Sequence, residues 1–297
     1  MHRLIIFMAA IAMTTLSAED SKEKPNPLLS LERLYGKPEF SAKGYGVKWL
    51  GAGQGYARLE KSKATKDARD IVRVDPATGE KEILVAAKAL IPEGAKKPLA
   101  VSGYTFTKDL KKVLIYTNTR RVWRVHSRGD YWVLDRASGK LQQLGGEEAK
   151  EATLMFAKFS PEDNNRVAYV RERNVYVENL ATGKVTALTK RVKRTVINGT
   201  FDWVYEEELG LRDGFRWSPD GKSIAYWQLD EDGVKEMTIL NHVPGNYPQI
   251  IQFRYPKVGE TNSRCRIGVV PAAGGETTWV QVDGDSREHY LARMEWA

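Results

Sequence analysis

The run Asn198-Gly199-Thr200-Phe201-Asp202-Trp203-Val204-Tyr205-Glu206-Glu207-Glu208-Leu209-Gly210 sets three consecutive carboxylates beside aromatic residues. The chain around it is basic, with 46 Lys and Arg against 38 Asp and Glu and a formal net charge of +8. Two chemistries compete for this cluster. In one, Asp202 caps a short helix and the glutamates favour the exposed N–H groups of its first turn. In the other, the cluster is a latent cation site. Like charges repel, so carboxylates held together in a pocket gain from a positive ligand. A protonated amine has three donors and no acceptor, which two carboxylates can satisfy. Successive helical residues diverge by about 100°. Two adjacent glutamates therefore share one ligand only at a helix end or in a concave mouth.

Other reactive residue types form no comparable group. Ser160 and Ser218 precede prolines in turn-like segments, and no G-x-S-x-G nucleophile elbow occurs. His2, His126, His242 and His289 supply no convincing triad base, and His126 reads as a surface or satisfied strand histidine. No metal-ligand cluster and no phosphate-binding loop is present, so neither a metal nor a cofactor is expected. The single cysteine, Cys265, cannot form an intrachain disulfide, and between Arg264 and Arg266 it reads as a small buried strand residue. The densest basic stretch, Lys190-Arg191-Val192-Lys193-Arg194, is short, and the other basic residues are scattered. It reads as a solvated surface, and no nucleic-acid partner is expected.

The elements that must position the carboxylates come from repetition. Asp75-Pro76-Ala77-Thr78-Gly79, Asp135-Arg136-Ala137-Ser138-Gly139 and Asn179-Leu180-Ala181-Thr182-Gly183 each end a strand-like run and precede another. Such Gly-bearing reversals predict hairpins. Phe159-Ser160-Pro161-Glu162-Asp163 and Trp217-Ser218-Pro219-Asp220-Gly221 each lead into an apolar strand, as does the weaker Phe106-Thr107-Lys108-Asp109. Four strands per roughly 40 to 60 residues is the signature of a β-propeller blade. The expected class is all-β, a propeller of four-stranded blades with one short N-terminal helix. About four blades are expected up to Asn241 and a fifth from Gln249 to Val280, out of eight in a full ring. A hydrophobic fraction of 42% supports a packed core.

The N-terminus has its own pattern. His2 and Arg3 precede an apolar run from Leu4 to Met13, then small and polar residues to Ala18. This is the layout of a secretory signal peptide over 1–18, with an uncleaved anchor as the alternative. Residues 19–40 read as a linker and a short helix capped by Ser30, and 41–297 as the propeller domain. The expected location is periplasmic or secreted.

Asp202-Trp203-Val204-Tyr205-Glu206-Glu207-Glu208, with Trp217-Ser218-Pro219-Asp220-Gly221 and Ala225-Tyr226 after it, resembles the dipeptidyl peptidase IV family. A second segment, Asn118-Thr119-Arg120-Arg121-Val122-Trp123-Arg124, is similar to the family stretch ending in W-R, and Tyr255-Pro256-Lys257-Val258-Gly259 to its Y-P-K-x-G segment. The resemblance implies that Glu207 and Glu208 grip the free α-amino group of a peptide, that Glu206 is not one of the pair, and that Arg124 orients the substrate carbonyl. It implies a serine-type dipeptidyl peptidase whose Ser-His-Asp chemistry lies in an α/β-hydrolase domain. With no elbow present, that domain is expected to lie outside this chain, which alone should not hydrolyse peptides. The expected partners are a peptide with a free N-terminus, that catalytic domain and a second copy in a homodimer. A stand-alone binding propeller and a catalytically dead relative are the alternatives.

Overall fold

The computed structural model describes residues 29–297, apart from 37, 43 and 52. The signal-peptide and linker expectations up to residue 28 lie outside the described residues. The chain divides into two units, one reaching Gly46 and the other running from Val47 to Ala297. In the first, a helical turn forms at Glu32–Gly36, with the Ser30 hydroxyl accepting from the Arg33 amide at 3.2 Å. The expected cap is in place, one turn deep.

The second unit is a succession of antiparallel sheets. Strands β1 (Lys48–Trp49), β2 (Tyr56–Lys61), β3 (Arg69–Val74) and β4 (Lys81–Val85) form the first blade in simple sequence order. The second blade comprises β5 (Gly103–Phe106), β6 (Lys112–Val122), β7 (Val125–Asp135) and β8 (Leu141–Gln143), and the third β9 (Leu154–Phe159), β10 (Arg166–Arg171), β11 (Asn174–Asn179) and β12 (Val185–Ala187). The pairing of Gly129 in β7 with Leu154 in β9 joins these two blades.

The three repeated turns form for one local reason. Asp75, Asp135 and Asn179 each accept from the backbone N–H groups two and three residues on, at 2.8–3.1 Å. The side chain thereby satisfies the amides that the reversal exposes. Gly79, Gly139 and Gly183 then close the turns at φ of 74°, 73° and 72°.

The fourth sheet departs from the meander. It contains β13 (Val196–Asn198), β14 (Phe215–Trp217), β15 (Ser223–Asp230), β18 (Arg264–Pro271) and β19 (Thr278–Trp279). Between β15 and β18 the chain makes a separate hairpin of β16 (Glu236–Asn241) and β17 (Gln249–Arg254), which pair only with each other. The four-stranded blades are as expected, but Gln249–Val280 is not a fifth one. Ser223↔Pro271 through Asp230↔Arg264 pair across the inserted hairpin, so β15 takes β18 as its partner along its full length.

Side-chain alternation explains the packing. Val113 and Ile115 join Ile71 and Val85 of the first blade, whereas Leu114 between them joins Val167 and Tyr169 of the third. Ala168 and Val170 point the other way, to Ile224 and Tyr226 of the fourth sheet. The second and third blades are thus apolar on both faces and buried between neighbours. Trp227 and Leu229, one step out of phase with Tyr226, face away with Ile197 and Cys265. The candidate site is built on that far face. Cys265 is 1% exposed, and burial pushes its thiol up to about 11, as suits a packing cysteine.

Candidate functional site

The carboxylate segment is an excursion from the fourth sheet, closed at its two ends. Gly199 donates to the Trp227 carbonyl, Trp227 donates to the Gly214 carbonyl, and Gly214 donates to the Gly199 carbonyl, all at 3.0 Å. The approach at Gly214 is so tight that a Cβ there would sit 2.5 Å from the Gly199 carbonyl carbon. Residues 200–213 therefore leave the sheet and return at one point, carrying a short helix, α1 (Trp203–Glu207).

Asp202 begins that helix as the capping reading requires. Its backbone is extended, one carboxylate oxygen accepts from the Tyr205 amide at 3.1 Å, and the other accepts from the Ser263 hydroxyl at 2.6 Å. Burial raises its pKa, with the Ser263 and Tyr205 hydrogen bonds working against that. Phe201 and Tyr205 stack at 5.4 Å, and Phe201 lies 5.3 Å from Trp227. The helix is thus fixed to the sheet by rings and its cap rather than by its own length.

Its C-terminal end presents the glutamates at three depths, as the turn of the helix dictates. Glu206 is buried at 4% exposure, and Glu208 is exposed. The Glu207 side chain is only 7% exposed, and its Oε2 accepts from Arg124 Nε, 83 residues earlier. The other oxygen, Oε1, is buried and meets no donor. A buried acceptor in that condition costs about 1–3 kcal/mol until a donor reaches it.

Arg124 reaches Glu207 because β6 and β7 run past the end of their blade. Arg121↔His126 and Val122↔Val125 remain paired, so Trp123 and Arg124 form a two-residue turn. Trp123 takes φ +52°, a left-handed conformation unusual for a bulky residue. Its ring packs on Phe253 of β17 at 4.8 Å, Phe253 meets Tyr255 at 6.2 Å, and Tyr255 meets Trp203 at 4.4 Å. This aromatic chain links the turn, the inserted hairpin and α1. Sequence reading placed Trp123 and Tyr255 only within two family segments, with no contact between them. Nothing in the spacing of Phe253 marked it as their bridge. His126 is an exposed strand residue with Thr119 Oγ1 2.9 Å from its Nδ1.

Arg124 is 76% exposed in its side chain, and its pKa is raised by the hydrogen bond to Glu207, with Glu207 and Glu208 adding charge attraction. The pair sets an exposed cation against a largely buried carboxylate. Glu206 differs from both partners. Burial pushes its pKa up to about 7, with the Arg212 charge opposing and Glu207 adding. Its Oε2 is buried without a donor. Between about pH 4.5 and 7 the folded chain retains this proton and the unfolded chain releases it, so stability falls as pH rises through that window. Thermal unfolding should therefore show wild type losing more stability from pH 5 to pH 8 than Glu206→Gln does. Parallel profiles would reject the assignment.

A model of the dipeptidyl peptidase IV (DPP IV) N-terminal region matches residues 107–297. Dipeptidyl aminopeptidase B of Saccharomyces cerevisiae is 32% identical over 218 residues, 72% of this chain and 26% of that protein. Dipeptidyl peptidase 4 of Trichophyton rubrum is 28% identical over 287 residues, 94% of this chain and 35% of that one. The crystal structure of Porphyromonas gingivalis dipeptidyl peptidase 4 superposes with a TM-score of 0.75 at 26% identity, covering 87% of this chain and 36% of that one. The chain spans about a quarter to a third of the length of the curated relatives it matches.

Proposed function

This chain belongs to the dipeptidyl peptidase IV N-terminal region family, and on that footing we propose that it supplies the amine clamp of a serine-type dipeptidyl peptidase. The observation that carries the reading is the buried, donorless Oε1 of Glu207 one residue from the exposed Glu208. An incoming ammonium supplies the missing donor to Glu207 and gives a second to Glu208. Both bonds are charge-assisted and stronger than neutral ones. Arg124, already donating to Glu207 Oε2, fixes that carboxylate in place and aims its remaining N–H groups at the peptide beyond the amine.

The function of such a clamp is measurement. A peptide held by its α-amino group presents its second peptide bond at a fixed distance from the helix end. Fixing that distance lowers the entropic cost of reaching the nucleophile, and it rejects chains whose amine is blocked. The acyl-transfer chemistry is assigned to a Ser-His-Asp site elsewhere in the full-length protein. A non-catalytic binding propeller would need the carboxylates but not Arg124 on the same oxygen pair.

The direct test uses the full-length protein and a dipeptide joined to a chromogenic amine. The free-amine substrate should be cleaved and its N-acetyl counterpart left intact, a difference of at least about a hundredfold in kcat/KM, since about 1.4 kcal/mol is tenfold and the lost contact is a partly buried charge pair. Equal cleavage of the two would sink the clamp.

A further inference from the structure

A cavity of about 750 Å³ opens at the N-terminal end of α1, the opposite end from the glutamate pair. Four arginines line it, Arg173, Arg191, Arg194 and Arg254. Its three carboxylates are already engaged. Glu231 accepts from Arg173 at 3.1 Å, Glu236 lies 3.8 Å from Arg254, and Asp202 is held by Ser263 and the Tyr205 amide. Arg191 and Arg194 are left over. Arg191 is pinned by the carbonyls of Lys193, at 3.1 Å, and Arg194. These bonds fix its guanidinium without neutralising it. Arg194 is exposed, and its guanidinium meets no carboxylate among the described residues. The pKa of Arg191 is lowered by burial and by the neighbouring charges of Arg173 and Arg194. Cations gathered in this way are stabilised by an anion placed among them.

The rest of the wall is Thr195, Gln252 and four aromatic residues, with Trp123 and Phe253 among them. A volume of this size is that of an organic-ligand pocket, far larger than a tetrahedral inorganic anion fills. The planar guanidinium fork matches a carboxylate, and the rings match an apolar side chain next to it. We propose that this cavity is a second peptide-binding subsite, which takes a side-chain carboxylate on Arg191 and Arg194 with the neighbouring apolar residue against Trp123 and Phe253. It rests on the cavity alone and not on the amine clamp. It also revises the reading of Lys190–Arg194 as a purely solvated surface. Lys193 pairs with Asp232 at 3.7 Å, while Arg191 and Arg194 line the cavity.

The test is calorimetric titration of the full-length protein with N-acetyl-Leu-Phe-Glu amide and its Gln counterpart. Neither has a free amine, so neither can use Glu207 and Glu208. The Glu peptide should bind at least tenfold more tightly than the Gln peptide. That discrimination should weaken in Arg194→Gln, whose guanidinium meets no carboxylate among the described residues, and vanish in the Arg191→Gln/Arg194→Gln double variant. It should persist in Glu207→Gln, so failure of this site and failure of the clamp read out separately. Raising the ionic strength should erode it as well. Equal binding of the two peptides, or discrimination that survives the double variant, overturns the proposal. Inorganic phosphate displacing the peptide with matching affinity overturns it too, and reduces the cavity to an inorganic-anion site.

Discussion

Glu207→Gln should lower kcat/KM on a free-amine dipeptide substrate by about a hundredfold to a thousandfold, while Glu208→Gln lowers it by about tenfold. The two differ because their carboxylates sit at different depths. The Glu207 side chain is 7% exposed and carries Arg124 on one oxygen, so its charge acts in a partly desolvated setting. Truncating one member of such a pair costs about 2–5 kcal/mol, and each 1.4 kcal/mol is a factor of ten. Glu208 is exposed, so its attraction for the amine is screened by water and salt. Glutamine preserves shape and one acceptor in both cases, so the loss reports charge. Because a clamp positions as well as binds, the fall should appear in kcat as well as in KM. The unfolding midpoint should barely change, since Arg124, the partner left behind, is 76% exposed. Activity within a factor of two of wild type for Glu207→Gln would reject its role.

The repeated turns were legible in the sequence because each is a local event. An Asx side chain capping its own turn and a glycine at positive φ are decided within five residues, as at Asp75 and Gly79. The start of α1 was legible for the same reason, Asp202 being its own signal. The long-range arrangement was not. β18 pairs with β15 across an inserted hairpin, and no periodicity distinguishes that partner from a new blade edge. Arg124 was found through family resemblance, and its contact with Glu207 spans 83 residues and depends on a left-handed Trp123 that no residue preference announces. The basic run Lys190–Arg194 shows the limit most clearly. Its composition was plain, but which of its side chains meet a carboxylate is set by Asp232, Glu231 and Arg173 on other elements.

Tyr205→Ala should destabilise the Val47–Ala297 unit by about 3–5 kcal/mol, the usual cost of deleting a large buried ring. Tyr205 is 2% exposed and belongs to the cluster with Ile197, Phe201, Trp227, Leu229 and Cys265. Its ring stacks on Phe201, and its hydroxyl accepts from the Leu291 amide at 3.1 Å. Trp227 Nε1 donates to the carbonyl of the same Leu291 at 2.7 Å, so the two rings together hold that segment against the sheet. At about 2–4 °C per kcal/mol for a unit of this size, the melting temperature should fall by about 10 °C. Tyr205→Phe separates packing from hydrogen bonding. It keeps the stacked ring but removes the hydroxyl that accepts from the Leu291 N–H and meets the Cys265 thiol, at about 1–3 kcal/mol. Because α1 is five residues long, it cannot hold itself in place and depends on this ring for its position. The phenylalanine variant should therefore keep the glutamates in register and retain most of its kcat/KM below its lowered melting point. The alanine variant should lose activity at temperatures where circular dichroism still reports folded sheets. If both variants lost activity only on unfolding, α1 would be held by its cap and its glycine-closed ends, and the aromatic anchor would be a stability element alone.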